Sequence, residues 1–68
     1  MGGAGDGRMV ADLLAALRDS HADVRTAAAW ALGSIGNAKA SPGLTAALQD
    51  ANAEVRRKAA EALARLRR

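Results

Sequence analysis

The sequence predicts an all-α fold made of two similar helical hairpins, and its composition and an internal repeat support this prediction. Of the 68 residues, half are hydrophobic and one, Trp30, is aromatic. Alanine, leucine, arginine and glutamate, which are abundant here, favour helices, whereas strands need more β-branched and aromatic side chains. We therefore expect a small helical domain with a core of leucine, valine, isoleucine and alanine.

The internal repeat has a period of 31 residues. The segment LLAALRDSHADVRTAAAWAL (13–32) aligns with LTAALQDANAEVRRKAAEAL (44–63), and twelve of the twenty aligned residues are identical. Self-similarity at a fixed period indicates stacked structural units. The chain is therefore predicted to consist of a flexible N-terminal tail, residues 1–5, followed by unit one, residues 6–36, and unit two, residues 37–68.

Each unit is predicted to form two helices joined by a short turn. The spacing of apolar residues predicts helices over residues 8–18, 22–35, 38–49 and 53–67. Asp6 and Asn52 are suited to N-cap positions, and Gly36 is suited to a left-handed C-cap. These signals define the same helix–turn–helix order in both units.

The start of the third helix depends on Pro42, because proline in a helix interior removes a hydrogen bond and clashes with the preceding turn. Two arrangements are open. Either Ser41 caps a short helix that has Pro42 at its first position, or a helix that begins at Asn37 is kinked at the proline. We favour the second arrangement, because Asn37 aligns with Asp6 in the repeat.

Helical angles separate a core face from an exposed face in the second helix of each unit. At about 100° per residue, one stripe is expected in the core. It contains Val24, Ala28, Leu32 and Ile35 in unit one and Val55, Ala59, Leu63 and Leu66 in unit two. Trp30 lies about 150° from the centre of its stripe. It aligns with Glu61, a residue type that is rarely buried, so we expect Trp30 on the surface.

The pattern D-x-x-x-x-V-R-x-x-A-A-x-A-L-G-x-I-G, from Asp19 to Gly36, resembles a HEAT repeat. It is most similar to the short variety first associated with phycobilin lyase subunits, and it implies a short right-handed α-solenoid. In such repeats a turn aspartate and a second-helix arginine typically link the units in a polar ladder. The resemblance gives this role to Asp19, Arg25, Asp50 and Arg56. Ala64 and Arg67 replace Gly33 and Gly36 in unit two, and we expect the glycines to serve the turn after the helix.

The same resemblance implies that an edge of the second helices lines a concave surface that contacts partners. The predicted partner-binding residues are Thr26, Trp30 and Ser34 in unit one and Arg57, Lys58, Glu61 and Arg65 in unit two. Small side chains around one large aromatic leave a shallow patch with one anchor, and tryptophan is common at interface hot spots. Alternatively, Trp30 folds across Lys58 or Arg57 in an intramolecular cation–π contact.

The exposed ends of a two-unit stack predict self-association, because solenoid units bury their faces against neighbours and at least three units are usually needed. The predicted contact residues are Met9, Val10 and Leu14 at the start of the stack and Leu66 at its end. A two-fold homodimer is favoured, because closed pairs are the commonest symmetry, and head-to-tail stacking is the alternative.

The chain lacks the residues that most kinds of chemistry require. It has no cysteine and one histidine, His21, so no metal site, cofactor or catalytic residue is predicted. No apolar run reaches the roughly 18 residues of a membrane span, and the opening MGGAGDG lacks the apolar stretch of a signal peptide. We therefore expect a cytoplasmic protein with no membrane contact.

The net charge of +3 is concentrated in the last helix, where residues 53–68 hold six arginines and lysines against two glutamates. Glu54 precedes Lys58 and Glu61 precedes Arg65 by four residues, a spacing that favours ion pairs on a solvated face. The predicted function is a non-catalytic protein–protein interaction or assembly module. One alternative is anion or nucleic-acid binding by the basic helix, although no second aromatic is present to stack a base. The other, suggested by the resemblance alone, is an accessory subunit of a bilin lyase system.

Overall fold

The computed structural model describes the backbone of residues 2–67 and the side chains of residues 7–67. In this part of the chain, four α-helices follow one another as two hairpins. The helices are α1 (Gly2–Ala16), α2 (Ala22–Ile35), α3 (Ser41–Ala47) and α4 (Ala53–Leu66), and a 3-10 helix, Ala38–Ala40, precedes α3. The all-α fold of two helical hairpins predicted from the sequence is therefore confirmed.

The first helix begins at Gly2 and not near residue 8 as predicted. Its first turns are rich in glycine, a poor helix former. Extending an existing helix nevertheless needs no new nucleus and adds one hydrogen bond per residue. The backbone of residues 2–5 is therefore part of α1, and the flexibility expected of this segment stays a prediction. Asp6 lies inside the helix, so its predicted N-cap position is wrong. The side chain of Asp6 lies outside the described residues.

The second helices of the two units begin with the same backbone geometry but with different caps. His21 has φ −94° and ψ 123°, and Asn52 has φ −91° and ψ 127°. The Asn52 side chain accepts hydrogen bonds from the backbone N–H groups of Glu54 at 2.8 Å and Val55 at 3.2 Å, whereas the His21 side chain caps nothing. At the other end of α2, Gly36 has the predicted left-handed conformation, with φ 75°.

The chain before Pro42 combines both arrangements considered for the third helix. The Asn37 side chain accepts a hydrogen bond from the backbone N–H of Lys39 at 2.8 Å and opens the 3-10 helix Ala38–Ala40. The α-helix begins only at Ser41, with Pro42 in its first turn. Proline cannot donate the hydrogen bond that a continuous α-helix from Asn37 would require there. The favoured kinked α-helix is therefore wrong in type, although the helical path does begin after Asn37.

The two hairpins stack mainly through α2 and α4. Eleven buried hydrophobic residues form one core, and they are Val10, Leu17, Ala28, Ala29, Leu32, Ala40, Leu44, Ala47, Val55, Ala59 and Ala62. Six of the eleven are alanines, so the helices can approach one another closely. The Cα positions span 37 × 27 × 15 Å, and the shortest dimension corresponds to two layers of packed helices.

Helices α2 and α4 approach each other closely at Gly33 and Ala62. A Cβ atom on Gly33 would lie 2.8 Å from both the Cα and the Cβ of Ala62. Gly33 is therefore required by helix packing, and the expectation that it serves the turn is wrong. Among the described glycines, only Gly36 has a positive φ, so only Gly36 has the turn role.

The predicted core stripe fails at the two ends of α2. The stripe residues that are buried or packed against the core are Ala28, Leu32, Val55, Ala59, Leu63 and Leu66. Val24 and Ile35, however, are 39 % and 40 % exposed. The aligned residues of α4, Val55 and Leu66, lie in or against the core, whereas no helix in the described part of the chain covers Val24 and Ile35 to the same extent. The position of a unit in the stack therefore decides whether the two ends of this stripe are buried.

Candidate interaction surface

A polar contact between Arg25 and Asp50 joins the two units. The Nε of Arg25 donates to Oδ2 of Asp50 at 2.8 Å, and its Nη2 donates to Oδ1 at 3.1 Å. The Nη1 donates to the backbone carbonyl of Asp19 at 2.8 Å, which fixes the guanidinium against the turn of unit one. Both side chains are largely buried. A bidentate contact of this kind combines charge attraction with a defined geometry, and its two residues are among the four to which the resemblance gives a ladder role.

The carboxylate of Asp50 also organises its own turn. Its Oδ1 accepts a hydrogen bond from the backbone N–H of Asn52 at 2.9 Å. The hydrogen bonds from Arg25 and then from Asn52 hold the pKa of Asp50 below its ordinary value. Asp50 is therefore an anion at neutral pH, and its charge is matched by the guanidinium across the interface.

The two remaining ladder residues, Asp19 and Arg56, lie at opposite ends of the stack and do not contact each other. Nη1 of Arg56 donates to the backbone carbonyls of Asp50 at 2.7 Å and Ala51 at 3.1 Å. Oδ1 of Asp19 accepts the backbone N–H of His21 at 2.8 Å and lies 2.9 Å from the Nδ1 of that residue. These contacts, the backbone one first, lower the pKa of Asp19. We call an arginine–aspartate contact between units a rung of the ladder. Within the described chain, Arg25 and Asp50 form the one complete rung.

Trp30 lies on the surface, with 56 % of its area exposed. Ser34, one turn later, is exposed, and Thr26, one turn earlier, is half-buried. Asp23 and Ala27, on the same side of α2, are also exposed. The indole is therefore the one large apolar group on this face, surrounded by small or polar side chains.

One of the candidate residues of α4 lies beside those of α2. The Cδ atom of Arg65 is 3.6 Å from the position that a Cβ on Gly33 would take, so the Arg65 stem lies against α2 next to Ser34. Glu61, one turn earlier, is exposed like Trp30, with which it aligns in the repeat. Arg65 is therefore the residue of the α4 part of the predicted partner surface that lies beside α2.

The glutamates of α4 pair with cations other than those predicted. Glu54 lies 3.9 Å from Arg57, and Glu61 lies 3.5 Å from Lys58. Both pairs have i, i+3 spacing, whereas the sequence favoured Glu54 with Lys58 and Glu61 with Arg65. Residues at i, i+3 and at i, i+4 both lie on the same helix face. The conformations of the long side chains therefore determine which of the two cations pairs with each glutamate. Part of the basic charge of α4 is thus balanced within the helix.

The four residues predicted for self-association do not form one exposed patch. Met9 is exposed, but Val10 is buried in the core and Leu66 packs against it. Leu14 is half-buried, and its Cδ2 lies 2.6 Å from the position of a Cβ on Gly43, so it fills the contact between α1 and α3. The assignment of Val10 to an exposed end is therefore wrong, because its side chain points between the helices of one chain.

Two exposed apolar residues, Val24 and Ile35, were missed as surface candidates. Helical periodicity alone assigns them to the core, because it treats both units alike. The repeat itself contains the missing signal. Val55 and Leu66, which align with Val24 and Ile35, lie on the face of α4 that unit one covers, and unit one cannot cover its own equivalent face.

A groove of about 790 Å³ runs between α1 and α3. Its lining includes Leu14, Leu17 and Gly43, with Arg18 and Lys39 among its polar residues. Arg18 and Lys39 are exposed. The carboxylate of Asp50, which also lines the groove, is already bound by Arg25 and Asn52. The groove therefore offers few fixed polar groups to orient a small ligand. The described residues also include no group of three or more histidines, cysteines, aspartates or glutamates placed to hold a metal ion.

Comparison with known proteins agrees with this architecture. The sequence profile of HEAT repeats matches residues 1–67. No characterised protein matches the sequence significantly. None of the helices in the described part of the chain is both long enough and apolar enough to cross a membrane.

Proposed function

Because the chain belongs to the family of HEAT repeats, which generally mediate protein–protein interactions, we propose that it is a non-catalytic interaction and assembly module. It binds a protein partner through one surface and associates with itself through the ends of its stack. The partner-binding surface, called the Trp30 surface below, consists of Thr26, Trp30 and Ser34 of α2 with Arg57, Lys58, Glu61 and Arg65 of α4.

The exposed indole of Trp30 is the observation that carries the proposal. More than half of this large apolar side chain is in contact with solvent, which is unfavourable unless another molecule covers it. Its neighbours Ala27 and Ser34 are too small to cover it or to obstruct a partner. Tryptophan in such a position is a typical hot spot, since burying it removes a large area from water at little cost in side-chain entropy.

The charges around Trp30 indicate the chemistry of the partner. Arg65 is an exposed cation of α4, whereas Arg57 is paired with Glu54 and Lys58 with Glu61. A partner with an apolar pocket for the indole and acidic residues at the pocket's rim would match this surface. Complementary charge would then determine specificity and the rate of association more than affinity.

Self-association is supported by apolar exposure at the start of the stack. Val24 and Ile35 are exposed on one face of α2, and Met9 is exposed on α1. Two repeats give a small core, and repeat units are normally covered on both sides. A contact that covers the face with Val24 and Ile35 would therefore stabilise the fold as well as build an assembly.

Site-specific photo-crosslinking tests partner binding through the Trp30 surface. A photoreactive phenylalanine analogue replaces Trp30 in one variant and Met9 in a matched variant, because Met9 is also a large exposed apolar residue. We expect the first variant, and not the second, to form a covalent adduct with a distinct protein. Mass spectrometry would identify that protein and the attached peptide.

The identified partner then allows a quantitative test with Trp30→Ala. We expect binding to weaken about 30-fold, the effect of losing a hot spot of about 2 kcal/mol. The free energy of unfolding should change by less than about 1 kcal/mol, because the higher helix propensity of alanine offsets part of the lost packing. A loss of several kcal/mol in folding stability with unchanged partner binding would show that Trp30 is a structural residue, as in the intramolecular cation–π alternative.

A further inference from the structure

We propose that the self-association is a head-to-tail stack, in which Arg56 of one chain binds Asp19 of the next. The inference rests on the proposed self-association and adds its geometry. Two faces take part. The rear face consists of Ala53, Ala60 and Ala64 on α4, and the front face consists of Val24, Ala31 and Ile35 on α2.

The contact between the two units of one chain shows how these faces fit. On the α2 side, Ala29 and Gly33 are buried and Ala22 is half-buried. On the α4 side, the stripe that includes Val55 and Ala62 is buried, and Gly33 meets Ala62 across the interface. The apolar stripe of α4 therefore packs against small residues of α2.

The rear face repeats the small-residue side of that interface. Ala53, Ala60 and Ala64 align with Ala22, Ala29 and Gly33 at the offset of 31 residues. All three rear-face alanines are exposed. α4 thus has the same kind of docking face that α2 uses inside the chain, and no helix in the described residues occupies it.

The front face repeats the other side of the interface. Val24, Ala31 and Ile35 align with Val55, Ala62 and Leu66 of α4. Each front-face residue is more exposed than its counterpart in unit two, and the largest difference is between Val24 at 39 % and Val55 at 0 %. The two ends of the stack are therefore complementary, whereas a two-fold dimer would place like faces together.

The polar ladder supplies the same complementarity in charge. Arg56 is anchored to turn carbonyls through Nη1, as Arg25 is in unit one. Within the described residues, the Nε and Nη2 of Arg56 have no acceptor, although the same atoms of Arg25 bind Asp50. Asp19 uses Oδ1 for its turn, and its Oδ2 has no donor in the described part of the chain. Arg56 and Asp19 are thus the two halves of a second rung.

One substitution limits how closely the chains can approach. Gly33 has no Cβ because Ala62 lies too close, but its rear-face counterpart is Ala64. The methyl group of Ala64 must hold the two chains slightly farther apart than the two units within a chain. Removing it with Ala64→Gly is expected to strengthen association by about tenfold, the effect of relieving a modest steric conflict.

Sedimentation velocity of the full chain and its variants tests the stack. We expect the weight-average mass to rise from 6.9 kDa past two chains as the concentration increases. Ala60→Glu, on the rear face, should reduce the mass to that of a single chain. The matched variant Ala11→Glu should leave the mass unchanged. Ala11 aligns with Pro42, which remains exposed although unit two packs against unit one, so Ala11 should lie outside the contact between chains as well. Circular dichroism would establish that both variants remain folded.

A charge exchange tests the second rung itself. Arg56→Asp and Asp19→Arg should each weaken association, and an equimolar mixture of the two variants should restore it through the exchanged pair. Arg67→Asp is the charge-matched control, because Arg67 is exposed and Gly36, which aligns with it, also remains exposed beside unit two. If Asp19→Arg fails to fold, the comparison of Ala60→Glu with Ala11→Glu decides the question alone.

The outcomes separate this inference from the proposed self-association. Dimers that do not grow with concentration and are unaffected by Ala60→Glu would overturn the head-to-tail stack and leave self-association standing. A single-chain mass at all concentrations up to about 1 mM would overturn both. Neither result would bear on partner binding at the Trp30 surface.

Discussion

Gly33 of α2 and Ala62 of α4 pass each other with no room for a methyl group between them. The missing Cβ of Gly33 would stand 2.8 Å from two carbon atoms of Ala62, so the glycine sets the distance between the two units. The Arg25–Asp50 contact lies in the same interface, and its geometry depends on that distance. Backbone proximity and a charged pair therefore define the interface together.

The first prediction is that Gly33→Ala destabilises the fold, although alanine is the better helix former. Overpacking at such a contact typically costs about 1–3 kcal/mol, and the neighbouring atom is backbone, which cannot rotate away. Gly7→Ala is the matched control, because Gly7 is also helical and has nothing within 4 Å of its Cβ position. It should gain up to about 1 kcal/mol. Urea unfolding of both variants measures the difference, and a stabilised Gly33→Ala protein would contradict the packing argument.

The second prediction concerns the complete rung of the ladder. Arg25→Ala should lower the free energy of unfolding by about 2 kcal/mol, because it leaves the largely buried carboxylate of Asp50 without its charged partner. Arg56→Ala removes the equivalent arginine at the exposed end and should cost less than about 0.5 kcal/mol at concentrations where the chain is monomeric. Equal losses in the two variants would show that the Arg25–Asp50 contact contributes nothing beyond the local turn.

The third prediction is a loss of stability in acid. The pKa values of Asp50 and Asp19 are lowered in the folded chain, so the unfolded chain binds protons first as the pH falls. Their contribution is complete above the unfolded value of about 3.9 and disappears as the pH drops through the lower folded values. Urea unfolding between about pH 7 and pH 2.5 would measure this. Asp50→Asn should flatten the acid side of the profile, and an unchanged profile would refute the assignment.

The fourth prediction compares the caps of α2 and α4. Asn52 caps α4 with two hydrogen bonds, and His21 occupies the equivalent backbone position without capping α2. Asn52→Ala should therefore cost about 1 kcal/mol. His21→Asn should gain up to a similar amount, reduced by the lost contact with Asp19. Thermal unfolding of both variants would show the opposite signs, and a destabilised His21→Asn protein would mean that the contact with Asp19 is worth more than the cap.

The features that sequence reasoning predicted correctly depend on local signals. The second helix of unit one begins and ends where the pattern places it, because Gly36 allows the left-handed conformation that stops the helix. The N-cap role of Asn52 is equally local. The Arg25–Asp50 contact is longer in range, and the resemblance gives both residues a ladder role without pairing them.

The features that were wrong depend on what lies beside a residue in space. Val24 fits the apolar stripe of a helix, yet its burial requires a neighbour that the described chain does not provide. Gly33 looks like a turn glycine until α4 is placed against it. The start of α1 was misplaced because capping signals do not reveal how far a helix extends once it has formed. A linear pattern contains none of this information directly.

The matched turns of the two units also constrain how this architecture can change in length. The backbone angles at His21 and Asn52 agree within a few degrees. The second helix of either unit can therefore follow the turn of the other unit without a change in backbone conformation at this residue. Inserting or deleting 31 residues, the period of the repeat, would add or remove one unit and preserve every contact type. A shorter change within a helix would rotate each following side chain by about 100° per residue. Viable length variants should therefore differ by whole repeats or by changes confined to the turns.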